Sequence, residues 1–241
     1  MTLDGTNTWI LGYPHAARVV VVDPGPDDES HLRAVLDGVR RRGARVAEIL
    51  LTHGHPDHSA GAGRFAELAG ARVRALDPAH RLGDEGLAGG DVVAVEGLRI
   101  EVVATPGHSA DSLSFLMPDE GAVLTGDTVL GRGTTVVAHP DGRLGEYLSS
   151  LTRLRDLAAD RGLRRVLPGH GPVLDDPLGV VEYYLRHREE RLDQVRAALA
   201  DGAHTARDVV ERVYVDVDQA LWPAAELSVR AQLEYLGIPE H

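Results

Sequence analysis

Up to about residue 170 the apolar residues fall into short runs, each closed by glycine, proline or a small polar residue. Residues 8–11 and 19–23 read as a first hairpin, and Pro24-Gly25-Pro26-Asp27-Asp28 after them carries both a turn signal and a helix-start signal. A helix is predicted over 30–42, a buried strand over 46–51 and a second helix over 59–69. Strands are predicted over 73–76, 92–95, 98–104, 112–116, 122–124 and 163–167. Residues 145–161 read as a helix with Leu148, Leu151, Leu154 and Leu157 on one face, a stripe that belongs to the core rather than to a partner surface.

From about Leu178 the pattern changes character. Residues 180–199 form one long helical pattern, and Thr205-Ala206-Arg207-Asp208 is a capping box opening a short helix through Val213. A last helical run covers 219–236, with an interruption expected at Pro223. Strong strand-like alternation is absent there. The chain therefore divides into a first domain over 1–177 and a smaller, mostly helical one over 178–241.

The chemistry sits at the ends of the predicted strands. Directly after 46–51, His53, His55, Asp57 and His58 place three imidazoles and a carboxylate within six residues, with Gly54 and Pro56 bending the backbone between them. His108 follows 98–104, Asp127 follows 122–124, and His170 follows 163–167, each in a tight glycine or proline turn. Strand ends in a layered fold lie along a common edge, so these seven residues can converge on two cations. A single His in such a turn is usually a hydrogen-bonded turn residue, whereas the set as a whole reads as a dinuclear site. Imidazoles plus carboxylates without a thiolate suit two zinc ions per chain, with manganese or ferrous iron behind them.

Composition narrows the class. There is no Cys, so disulfides and thiolate ligands are both excluded. All 25 basic residues are Arg, which fits a GC-rich, bacterial genome and carries no function. Against 37 acidic residues they leave a net charge of −12, a poor match to a nucleic-acid footprint. No apolar run approaches the roughly 18 residues needed to span a membrane. Met1-Thr2-Leu3-Asp4-Gly5 shows no export signal, so the expected location is the cytoplasm, without a membrane partner.

The His53 to His58 cluster with His108, Asp127 and His170 resembles the motif of the metallo-β-lactamase superfamily over the first 175 or so residues. That resemblance implies an α/β fold, a four-layer αββα sandwich with the metals at one edge of the two sheets. It implies His53, His55 and His108 for the first metal, Asp57, His58 and His170 for the second, and Asp127 as the bridge. Asp57 would also be the catalytic residue that orients a metal-bridging hydroxide, since a water between two cations has its pKa lowered from about 16 toward 7.

Gly5-Thr6-Asn7-Thr8, Gly131-Arg132-Gly133-Thr134-Thr135 and the Tyr183, His187-Arg188 and Thr205 pattern resemble the β-lactamase-like-2, endoribonuclease-like branch with a C-terminal winged helix. Relatives in that branch commonly carry a segment before the Gly-Thr-Asn-Thr strand, which here begins almost at Met1. The branch implies a phosphodiester of single-stranded RNA as substrate. The charge points instead to a small-molecule ester, thioester (glyoxalase II-like) or lactone, and a non-catalytic metal-binding protein is the third class. Over 182–241 there are 7 Arg against 12 acidic residues, so the tail is read as a packing or homodimerisation module before nucleic-acid recognition. Arg132 and Thr134, with Thr135, are candidate substrate contacts; Arg132 could pair with a phosphate or carboxylate. His139 reads as a surface-loop residue, and His15, His31, His80, His187, His204 and His241 as surface or helix-face residues.

Overall fold

In the computed structural model, residues 5–239 are described. The reading at Met1 to Asp4 and His241 lie outside the described residues.

The chain begins as the predicted hairpin, β1 (Trp9–Leu11) antiparallel to β2 (Arg18–Val22). Asp28 then accepts from the Ser30 and His31 amides and opens α1 (Glu29–Arg41), which crosses to β3 (Arg45–Leu50), parallel to β2. After β3 come α2 (Pro56–Ser59), α3 (Ala62–Ala69) and the parallel strand β4 (Arg72–Arg74), completing a sheet of order β1-β2-β3-β4. The second sheet is an antiparallel meander of β5 (Val92–Val95), β6 (Leu98–Ala104), β7 (Leu113–Met117) and β8 (Ala122–Gly126). After α4 (Leu144–Arg161), β9 (Arg165–Pro168) joins the edge parallel to β8.

Strand periodicity produces the four layers. Successive side chains point to opposite faces, so β2 sends Val20 and Val22 between the sheets and Val19 and Val21 toward α1 and α3. Phe115 and Leu124 meet β2 from the second sheet, while Leu116 and Val123 on the reverse face pack with Tyr147, Leu151 and Leu154 of α4. Of the leucine stripe, Leu151 and Leu154 are buried and Leu148 and Leu157 pack partly against that cluster, so it is core.

Three elements depart from the sequence reading. The helix expected over 59–69 starts earlier and is broken, because the Gly61 amide donates to Gly25 O at 2.9 Å, outside the ladder of α2. The strand expected over 73–76 is β4, ending at Arg74. The run expected over 219–236 divides just ahead of Pro223, into a 3-10 turn over Gln219–Leu221 and α7 (Trp222–Tyr235), and Pro223 itself lies in the first turn of α7, where a missing N–H costs no helical hydrogen bond.

The tail is three α-helices, α5 (Pro177–Ala200), α6 (Ala206–Val213) and α7, with one 3-10 turn before α7 and no strand after β9 among the described residues. At 24 residues α5 is roughly 36 Å long and serves two cores. Val181, Tyr184 and Leu192 pack with α4 and the second sheet, and Val195 and Ala198 pack with α6 and α7. Hydrogen bonds from the His139 amide to Leu227 O and from Ser228 Oγ to Val137 O tie α7 back to the first domain. No described helix is long and apolar enough to cross a membrane.

Candidate metal centre

The segments that follow the C-terminal ends of β3, β6, β8 and β9 carry all seven candidate ligands, Asp57 and His58 in the short α2 and the others in loops. The Leu113 amide, donating to Thr52 O at 2.7 Å, ties the two sheets together at this edge, and within the second sheet the Gly169 amide donates to Gly126 O at 2.8 Å. Glycine at 169 is what lets the last loop approach, since a Cβ there would lie 2.3 Å from Asp127 Oδ1.

The side chains meet in three overlapping groups, His53 with His55 and His108, His53 with His58 and Asp127, and Asp57 with His58 and His170. His55 Nδ1 lies 3.1 Å from His108 Nε2, and His58 Nε2 lies 3.3 Å from His170 Nε2. Asp127 reaches His58 Nε2 at 3.4 Å and His170 Nε2 at 3.2 Å, and Asp57 Oδ2 reaches His170 Nε2 at 3.3 Å. Two ligand atoms held about 2.0–2.1 Å from a tetrahedral zinc ion lie roughly 3.3 Å apart, so the spacing is that of coordination edges.

The outer nitrogens explain which way each ring faces. His58 Nδ1 donates to Asp23 Oδ2 at 2.9 Å, His108 Nδ1 to Val136 O at 2.9 Å, and His170 Nδ1 to Gly5 O at 2.8 Å. His53 Nδ1 donates to Thr52 Oγ1 at 3.0 Å, whose own proton goes to Asp23, and His55 Nε2 faces Asp141 at 3.6 Å. Each neutral imidazole so held turns a lone pair inward, where it meets other lone pairs and two carboxylates. Buried His53 Nε2 and Asp127 Oδ1 have no hydrogen-bond partner at all. Such a concentration of acceptors without donors is the arrangement a cation resolves.

Without a cation, protons do part of that work. Burial opposes charge on His58, but Asp23 and Asp127 outweigh it and push its pKa up to about 10. His170 is likewise disfavoured by burial and lifted to about 10 by Asp127 and Asp57. Burial and the neighbouring His58 and His108 hold His53 well below the ordinary imidazole range. Burial alone would raise Asp127, yet the facing His170 and His58 keep it far below the usual carboxylate range.

The sequence profile described as "Metallo-beta-lactamase superfamily" matches residues 1–170. The chain belongs to the metallo-β-lactamase superfamily. A second profile, "Beta-lactamase associated winged helix domain", matches residues 205–237. The chain is 34% identical over 254 residues to the beta-lactamase-like protein 2 homolog of Drosophila melanogaster, covering 98% of this chain and 83% of that one. It is also 34% identical over 233 residues to the atrochrysone carboxyl ACP thioesterase of Aspergillus fumigatus, covering 89% and 70% respectively. A solved beta-lactamase domain protein from Burkholderia ambifaria superposes with a TM-score of 0.83 at 24% identity over 98% of this chain and 83% of that one, a likeness of fold.

Around this metallo-β-lactamase site the remaining candidates separate. Arg132 is exposed on a turn whose Gly131 amide donates to His170 O, and Thr134 lines a different cavity with His187, Arg188 and Arg191. His15 and His204 are exposed as expected, but three others are not simple surface residues. His31 Nε2 lies 3.0 Å from Pro24 O and 3.1 Å from Thr8 Oγ1, His80 packs against Gly54 of the ligand loop, and His187 Nδ1 is buried. His139 is half-buried, its amide held by Leu227.

Sequence reading missed the supports of the superfamily site. Asp23, only 1% exposed, accepts from the Thr52 amide, the Thr52 hydroxyl and His58. Its one signal is a carboxylate closing the apolar run of β2. Asp141, and Thr6, whose hydroxyl donates to Asp57 Oδ2 at 3.1 Å, lie in loops whose convergence nothing in the sequence announces.

Proposed function

We propose that the chain is a dinuclear zinc hydrolase of acyl esters, thioesters foremost. The observation that carries this is the set of inward-facing imidazole and carboxylate atoms spaced 3.1–3.4 Å apart at one sheet edge. With five imidazoles, two carboxylates and no thiolate, the donor set fits zinc first and manganese or iron second. When bound, two such ions supply an acidified water as nucleophile and positive charge for the oxyanion that develops on the substrate.

The chain's own residues then have distinct tasks. His53, His55 and His108 would hold one ion and Asp57, His58 and His170 the other, with Asp127 between them. Asp57 is the catalytic residue of this reading. Its carboxylate is partly exposed, is fixed by Thr6, and can orient the nucleophile from the open side of the site. Asp23 and Asp141 fix ring orientation from outside.

The surroundings favour an uncharged acyl group. A crevice of about 590 Å³ opens beside Asp57, lined by Thr6, Pro26, Asp28, His31, Pro56 and Ala60, with no Arg among its lining residues. Asp111, near Gly54, and Asp141, near His55, add negative charge close to the ligand loop, which disfavours a polyanion. The thioesterase relative supports the same bond class. RNA cleavage is the second reading, favoured by the winged-helix match over 205–237.

Zinc-loaded protein offered an acyl thioester, an oxygen ester and a short single-stranded RNA tests both. Hydrolysis of the thioester with RNA left intact is the expected result, abolished by chelation. Metal-dependent cleavage of RNA with the thioester untouched would replace this reading by the second.

A further inference from the structure

A cavity of about 260 Å³ lies between the Thr134–Val136 segment and helices α5 to α7. It adjoins the metal centre: the carbonyl of Val136 holds the outer nitrogen of His108, and the Thr135 hydroxyl donates to Asp127 O at 2.6 Å. In a protein of net charge −12, its lining holds Arg188, Arg191 and His187 and no carboxylate.

The two guanidinium groups are fixed but not neutralised. Arg188 is only 6% exposed; it donates to Thr135 O and lies 5.0 Å over the Tyr147 ring, and its Nε has no partner. Arg191 stacks 4.5 Å over Tyr214 and donates to Gln194 Oε1 at 2.8 Å. Among the described residues neither has a carboxylate within ion-pair distance. A buried cation such as Arg188 usually has one; half-buried Arg191 lines the same cavity, so the pair is placed for an anion from outside. Val136, Val217, Leu221 and Ala224 give the same cavity an apolar wall.

We propose that this cavity is an anion subsite, in which Arg191 and Arg188 hold the phosphate monoester carried on the leaving-group arm of an acyl thioester substrate. The assignment rests on the acyl-hydrolase reading. It divides the substrate across the metals, with the acyl group in the crevice beside Asp57 and the arm leaving past His108. A cavity of this volume suits a phosphate with a few atoms of a slim aliphatic arm better than a phosphate with a whole nucleoside. Burial, with the two neighbouring guanidinium groups, also holds His187 below the ordinary imidazole range, consistent with a positive potential there.

Calorimetric binding to the zinc-loaded protein tests this with phosphopantetheine against pantetheine, which lacks the phosphate, and with adenosine 5′-phosphate against adenosine. Because Arg188 is buried and its loss endangers folding, the variant is Arg191→Gln, with its melting temperature checked beside wild type. Phosphopantetheine is expected to bind at least about tenfold tighter than pantetheine, and Arg191→Gln to reduce that ratio to about twofold or less. Equal binding of the pair overturns the subsite. So does a phosphate advantage that persists in Arg191→Gln, which would put the phosphate on the metals, or an advantage confined to the nucleotide pair. The acyl derivatives of both arms are assayed in parallel. Hydrolysis without a phosphate preference removes the subsite and leaves the thioesterase reading, whereas the preference without hydrolysis keeps the subsite and removes that reading.

Discussion

Asp23 supports the candidate metal centre without being one of its seven ligands. One oxygen accepts from the Thr52 amide and the other from both the Thr52 hydroxyl and His58, so it sets the ring of His58 and, through Thr52, that of His53. Asp23→Ala is expected to weaken zinc binding by roughly 10–100-fold, read by competition with a chelating dye, while a folded variant of unchanged affinity would contradict its role. Proton linkage gives a second expectation at this scale. In the metal-free protein His58 and His170 keep their protons up to about 10, and a cation must displace them. Apparent zinc affinity should therefore rise with pH between the ordinary imidazole range and about 10, by up to about tenfold per unit for each proton displaced. Calorimetry in buffers of different ionisation enthalpy measures the protons released at pH 7.5, and a value of zero would contradict the linkage. The same raised values stabilise the metal-free fold below the ordinary imidazole range, a contribution lost as pH rises through about 10.

At the scale of elements, what a sequence can show is local. Each strand that carries a ligand at its C-terminal end was legible, because a short apolar run closed by glycine or proline is a local pattern. The capping box was equally legible: Thr205 accepts from the Asp208 amide, and Asp208 from the Thr205 amide. Thr205→Ala should cost about 1 kcal/mol of stability, read by urea unfolding, and a change within error would argue that α6 is held by packing alone. Hydrogen bonds from the His204 and Thr205 amides lower the pKa of Asp208. Its contribution is thus present above the ordinary carboxylate pKa and is lost as pH falls through the lowered one. The break before α3 was not legible, because Gly61 leaves the helix for a carbonyl 36 positions upstream, Gly25 O. Nor was the meeting of the Thr134–Val136 segment with Arg188 and Arg191, which only the docking of α5 brings about.

Across the whole molecule, a net charge of −12 coexists with a small basic cavity and with a metal edge rimmed by carboxylates. The long α5 joins these regions: it belongs to both cores, and its Tyr184 and Arg188 hold the segment between Leu130 and Thr135 that follows Asp127. The tail is therefore built into the architecture behind His108. As proposed above, the seven-residue cluster would hold two zinc ions that make the protein an acyl hydrolase. The direct measurement is thioester turnover as metal-free protein is titrated with zinc, with bound metal quantified at each point. Turnover that is absent without metal and reaches its plateau at two ions per chain is the result this account predicts; full turnover in chelated protein of verified zero metal content would contradict it.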